Sequence, residues 1–195
     1  MTKDNVRDIV VVGAALGGVT AIAKMASCWP AELPATVIVA LVTPKQPAPM
    51  VLQILKGYAP VSVVYGKHGE VVKRGTIYLS PPGKHLLVRG GGVLQLAGVG
   101  AFEDNLSSID RLFISAAAVY GRRLIGVVLS GEARGGAKGL EEIEAAGGIG
   151  IVQDPKEAAE PQLPRHVIEN DSPHYCVKAG EIPALVKRLM AAPLD

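Results

Sequence analysis

Four short stretches of this chain are apolar almost from end to end, and each stops at a turn residue or a polar cap. Residues 8–14 read DIVVVGA, 36–43 TVIVALVT, 124–130 LIGVVLS and 149–153 IGIVQ. Runs this short, rich in Val and Ile and without polar alternation, are strands buried on both faces. A strand buried on both faces needs helices above and below it, which confines the chain to an α/β architecture around a mostly parallel sheet.

The segments between these runs supply the helices. Residues 17–27 have helical composition and are closed by Trp29-Pro30. A short helix is expected over 50–56, after the prolines at 47 and 49. Ser107 and Ser108 are candidate N-caps for a helix over 109–120, and Gly121 follows as its stop. Residues 138–146 form a helix ending in Gly147-Gly148, and 155–159 have room for one turn. A closing amphipathic helix over 179–190 places Ile182, Leu185, Val186 and Leu189 on one face. Residues 61–96 differ in texture: short β runs alternate with Gly turns, which predicts a meander or hairpin insertion rather than a βα unit. The fold class is therefore α/β, a mostly parallel doubly wound sheet with an antiparallel β-hairpin edge. No linker or repeat divides the chain, so residues 1–195 read as one domain.

Composition narrows the function classes. Hydrophobic residues make up 49% and aromatics only 4%, so the core is aliphatic. A net charge of +2 with no Lys/Arg run argues against nucleic acid or an anionic membrane as partner. No apolar stretch reaches the ~20 residues of a membrane span, and no signal peptide is visible, which predicts a cytoplasmic protein without membrane insertion. Cys28 and Cys176 lack metal-ligand spacing and read as reduced thiols, Cys28 as a buried helix-end thiol. No metal or other cofactor is expected.

In a doubly wound sheet, chemistry sits beyond the C-terminal strand ends, here the loops 13–18, 42–49 and 130–137. The first, Gly13-Ala14-Ala15-Leu16-Gly17-Gly18, is neither G-x-G-x-x-G nor a phosphate loop. Its glycines either open a helix N-terminus to an anion or simply allow close strand–helix packing.

Several blocks, in order, resemble one family. Val12-Gly13-Ala14-Ala15-Leu16-Gly17-Gly18 is similar to an I-G-A-S-T-G-G turn. Leu41-Val42-Thr43-Pro44 stands where that family has Q-H-M-P. Gly75-Thr76-Ile77-Tyr78-Leu79-Ser80-Pro81-Pro82-Gly83-Lys84-His85-Leu86-Leu87-Val88 is similar to G-x-x-Y-x-A-P-P-x-x-H-L-x-V. Ser108-Ile109-Asp110-Arg111-Leu112-Phe113-Ile114-Ser115-Ala116-Ala117, with Tyr120-Gly121, fits S-x-D-x-L-F-x-S-A-A-x-x-Y-G. Leu129-Ser130-Gly131-Glu132-Ala133-Arg134-Gly135-Gly136-Ala137 resembles L-T-G-M-G-x-D-G-A. The family is the catalytic domain of chemotaxis protein-glutamate methylesterases, the CheB type, and the blocks span most of the chain.

The resemblance implies a serine hydrolase fold whose nucleophile, base and orienting acid fall at Ala15, Val42 and Gly135. None of these side chains can act: a weak hydroxyl needs a neighbouring imidazole, and here both are missing. Leu16 and Glu132 also depart from the loops that flank the family's oxyanion site. The chain is accordingly expected to be catalytically degenerate, a binding or regulatory module in bacterial chemosensory signalling. Its partner would be a chemoreceptor or another chemosensory protein. The alternative is a carboxylic-ester hydrolase with a relocated nucleophile, Ser130 or Ser80 with His85. His85 is not a triad member in the family and reads as structural or solvent-facing. Thr43 and Arg134 complete the candidate cleft, with Glu132 and Arg134 able to pair. A more apolar cleft could also hold an apolar ligand. The family's usual N-terminal receiver domain is not expected, because Asp4 and Asp8 lie too close to the first strand to form a phosphoacceptor site.

Overall fold

A computed structural model of the chain describes residues 5–15, 17–42, 48–102 and 104–194. Seven strands form one sheet in the order β3-β4-β2-β1-β7-β8-β9. They are β1 (Ile9–Ala14), β2 (Thr36–Leu41), β3 (Ser62–Tyr65), β4 (Thr76–Leu79), β7 (Leu124–Val128), β8 (Ile149–Gln153) and β9 (Tyr175–Val177). Every pairing in it is parallel. Two further strands, β5 (Lys84–Arg89) and β6 (Val93–Gly98), pair antiparallel with each other.

The period of two along β1 shows why the sheet needs two covers. Val10, Val12 and Ala14 join a core with α1 (Gly18–Ser27) and α6 (Ile182–Ala191), beside which α2 (Ala48–Tyr58) packs. Ile9 and Val11 join the opposite core, with α3 (Ser108–Tyr120), α4 (Ala137–Ala145) and α5 (Gln162–Asn170). The chain is doubly wound. The antiparallel pair does not extend the sheet; β5 packs on α3, where Ser115 Oγ accepts from Val88 N–H at 3.1 Å.

The stretch 61–96 is thus divided. Residues 62–65 and 76–79 enter the main sheet as β3 and β4, and only its end forms a hairpin. Between β3 and β4 the chain returns through residues 66–75 without a helix, held by a bridge from Val71 to Val93. Two elements are additional to the expectation, α5 and the three-residue β9. Residues 155–159, where one helical turn was expected, form turns and bends rather than a helix. Cys28 corrects another expectation: it is exposed, and the buried residue at the end of α1 is its neighbour Trp29.

Candidate functional site at the strand ends

β1 is flanked by β2 on one side and β7 on the other, so the strand order reverses there, the place where sheets of this kind carry a site at the C-terminal strand ends. Ala15 follows β1 directly. It is 1% exposed; its N–H donates to Ser130 O at 3.2 Å and its carbonyl accepts from Gly18 N–H at 2.8 Å. Gly131 lies so near that a Cβ added to it would stand 2.5 Å from the Ala15 methyl. Val42 follows β2 directly, half-buried, with its N–H donating to Ala14 O at 2.9 Å. Leu16 and Thr43 lie outside the described residues.

The glycines of the first loop serve close packing. Gly17 caps α1 with φ 85°, a conformation that suits glycine. A Cβ on Gly18 would come within 2.5 Å of Ala14 Cβ.

Gly135 sits against the start of α3, where the next residue, Gly136, and Gly13 of β1 both pack on Ile109. The φ of Gly135 is 133°, and an added Cβ would stand 2.4 Å from Ser107 Oγ and 3.1 Å from Asp110 Oδ2. Ser107 and Asp110 form a capping box: Ser107 Oγ accepts from Asp110 N–H at 3.1 Å, and Asp110 Oδ2 accepts from Ser107 N–H at 3.2 Å. Ser107 Oγ also donates to Asp110 Oδ2 at 2.6 Å, and Asp110 Oδ1 accepts from Gly139 N–H at 2.9 Å. Asp110 was legible only as part of a motif block. The S-x-x-D spacing of a capping box was the signal that could have placed it beside Gly135.

The alternative nucleophiles are engaged. Ser130 is buried; its Oγ accepts from Glu160 N–H at 2.8 Å and donates to Glu160 O at 3.3 Å. Its N–H donates to Gln153 Oε1 at 2.8 Å, and Gly131 N–H donates to Glu160 O at 2.9 Å. Ser80 Oγ accepts from Leu41 N–H at 3.1 Å. His85 is buried on β5 and meets neither Ser80 nor Ser130; its Nδ1 lies 2.7 Å from Ser108 Oγ, in the first turn of α3. Phe102 lies beside the imidazole, with Arg111 stacked on the phenyl face and paired to Asp104. Burial, and secondarily the Arg111 charge, hold the His85 pKa below the ordinary histidine value against the opposing pull of Asp104. Glu132 and Arg134 are exposed and do not form an ion pair with each other. Arg134 and Gly135 border a hollow of about 430 Å³ that also holds Lys138 and His166. Among the described residues no cluster of three or more His, Cys, Asp or Glu is placed to hold a metal, and no helix is long and apolar enough to cross a membrane.

This architecture, with its switch point between β1 and β7, defines a doubly wound α/β domain of the kind that carries chemistry on strand-end loops. Residues 10–186 match the family model described as CheB methylesterase. The chain belongs to the CheB methylesterase family. It is 30% identical over 179 residues to a protein-glutamate methylesterase/protein-glutamine glutaminase of Desulfitobacterium hafniense, covering 90% of this chain and 46% of that protein. It is 32% identical over 182 residues to another of that name in Anaeromyxobacter dehalogenans, covering 93% and 53%. The chain spans about half the length of these two relatives. The crystal structure of the Thermotoga maritima CheB methylesterase catalytic domain superposes with a TM-score of 0.85 at 26% identity, covering 93% of this chain and 98% of that one.

Proposed function

We propose that this domain is a catalytically degenerate member of its family, a binding or regulatory module in chemosensory signalling whose partner is a chemoreceptor segment or another chemosensory protein. The observation that carries this reading is the chemistry at the three positions equivalent to nucleophile, base and acid: Ala15, Val42 and Gly135 offer a methyl, an isopropyl and a hydrogen. Acyl transfer needs an activated nucleophile and donors aimed at the developing oxyanion. Ala15 N–H and Gly131 N–H already donate to Ser130 O and Glu160 O, which further supports the reading. So does the engagement of Ser130 Oγ by both backbone groups of Glu160. Without turnover, what the fold keeps is its surface, and with it the recognition of a protein partner.

A second reading rests on one contact, the 2.7 Å approach of His85 Nδ1 to Ser108 Oγ. A neutral imidazole beside a hydroxyl is the minimal nucleophile–base pair. Labelling with a serine-reactive fluorophosphonate, read by intact mass, separates the two. The degenerate reading gives no adduct. An adduct on the natural protein that disappears in Ser108→Ala establishes the hydrolase instead.

A further inference from the structure

At the opposite edge of the sheet, where the parallel strands begin, a groove of about 410 Å³ opens between α6 and the segments leading into β1 and β2. Its apolar wall includes Trp29 and Leu33 from the α1–β2 connection and Val186 and Met190 from α6. The volume is that of a small-molecule site, and the groove shares no residue with the strand-end loops.

Two features specify what it would take. Trp29 is 5% exposed, and its indole Nε1 is buried without a hydrogen-bond partner among the described residues. Arg7 also lines the groove, and its Nε is buried and equally without an acceptor. Buried N–H donors are costly unless they are met, and native proteins leave few of them. Both orphans are donors, so the missing complement is an acceptor. Charge gives its sign: Arg7 and Lys187 line the groove against the single carboxylate of Glu32, while Arg74, the remaining cation, is paired with Asp8. A carboxylate brings two acceptor oxygens and a negative charge, and charge-assisted bonds of this kind are the strong ones.

We propose that this groove binds a free aliphatic carboxylic acid of medium chain length. Its carboxylate accepts from the Arg7 and Trp29 N–H groups, and its hydrocarbon lies along Leu33, Val186 and Met190. The proposal concerns a different site from the strand-end loops and does not depend on the catalytic reading.

Trp29 is the sole tryptophan of the chain, so its emission reports on the groove directly. The full chain is titrated with octanoate and, separately, with octanol. Octanoate is expected to give a saturable change in emission and to raise the unfolding midpoint. Octanol, which lacks the charge, is expected to bind about tenfold more weakly, as is octanoate to Arg7→Gln. Met190→Glu sets a like charge and a polar wall in the groove and is expected to abolish the response to octanoate. No saturable change on the natural protein overturns the proposal, as does octanol binding as well as octanoate. That comparison needs no variant to fold. Unchanged octanoate affinity in a folded Arg7→Gln overturns the assignment of the carboxylate.

Discussion

Gly135, which we propose stands at the position of the family's orienting acid, is closed to a carboxylate by its surroundings as well as by its lack of a side chain. A φ of 133° is a backbone state that L residues rarely adopt, and Ser107 stands where a Cβ would go. Gly135→Asp is therefore expected to lower stability by about 2–4 kcal/mol, from backbone strain and overpacking together, measured by urea unfolding. Gly135→Asp combined with Ser107→Gly is expected to recover the part due to the clash and not the part due to φ. His85 gives a pH test. Its folded pKa lies below the ordinary histidine value of 6.5, so the unfolded chain binds more protons in that window. Stability is fully present above about pH 6.5 and falls as pH drops toward the folded pKa. Asp104, whose pKa is lowered first by the Leu106 N–H and then by Arg111, adds its own loss only below the ordinary aspartate value of 3.8. Thermal unfolding between pH 7 and 5 is expected to show a decline that flattens in His85→Gln. At this scale only the motif blocks point to Ala15, Val42 and Gly135, the positions on which the proposed degeneracy rests. What Ser130 does was not legible. Its hydroxyl is held by Glu160, thirty residues away in sequence, and no local pattern encodes that contact.

α3 organises the site side of the molecule. Its N-terminal turn meets Gly135 through Ser107 and His85 through Ser108, and its body carries the β5–β6 pair. The capping box makes that turn rigid. Ser107→Ala is expected to cost about 1–2 kcal/mol, with the loss of one donor to Asp110 added to the lost cap; denaturant unfolding measures it. Helices with a clear cap or apolar stripe were readable to within a few residues: α3 was expected at 109–120 and spans Ser108–Tyr120. α5 was not, because Pro164 inside it reads as a turn. Proline is tolerated there because the position lies in the first turn, where its missing N–H has no helical acceptor. β9 was missed for a different reason. It is three residues long at the edge of the sheet, with Cys176 exposed, so it carries neither the length nor the apolar run of the inner strands. The placement of β3 and β4 in the main sheet escaped the pattern because no helix connects them, and the expected signature of a parallel pair is a helical crossover.

Over the whole molecule, the four apolar runs sufficed to fix the class of fold, since each demanded cover on both faces and no other layering supplies it. The strand order places the switch point at the β1/β7 boundary, where the loops after β1 and β7 meet through the Ala15–Ser130 hydrogen bond. At the far edge Asp8, read from sequence only for its nearness to the first strand, is buried between Arg74 and Arg123, with Arg123 Nη2 2.8 Å from its Oδ1. It thereby ties the approaches to β1, β4 and β7 together. A domain held this firmly, in a family of protein-glutamate methylesterases, keeps the scaffold on which the esterase chemistry would be mounted. We propose that the chemistry is absent while the fold is kept. The most direct test is methanol release from a methylated chemoreceptor fragment by the natural protein, followed against a buffer blank and an active family member. Release indistinguishable from the blank is the predicted result; release above it that is lost on replacing a single serine contradicts the account.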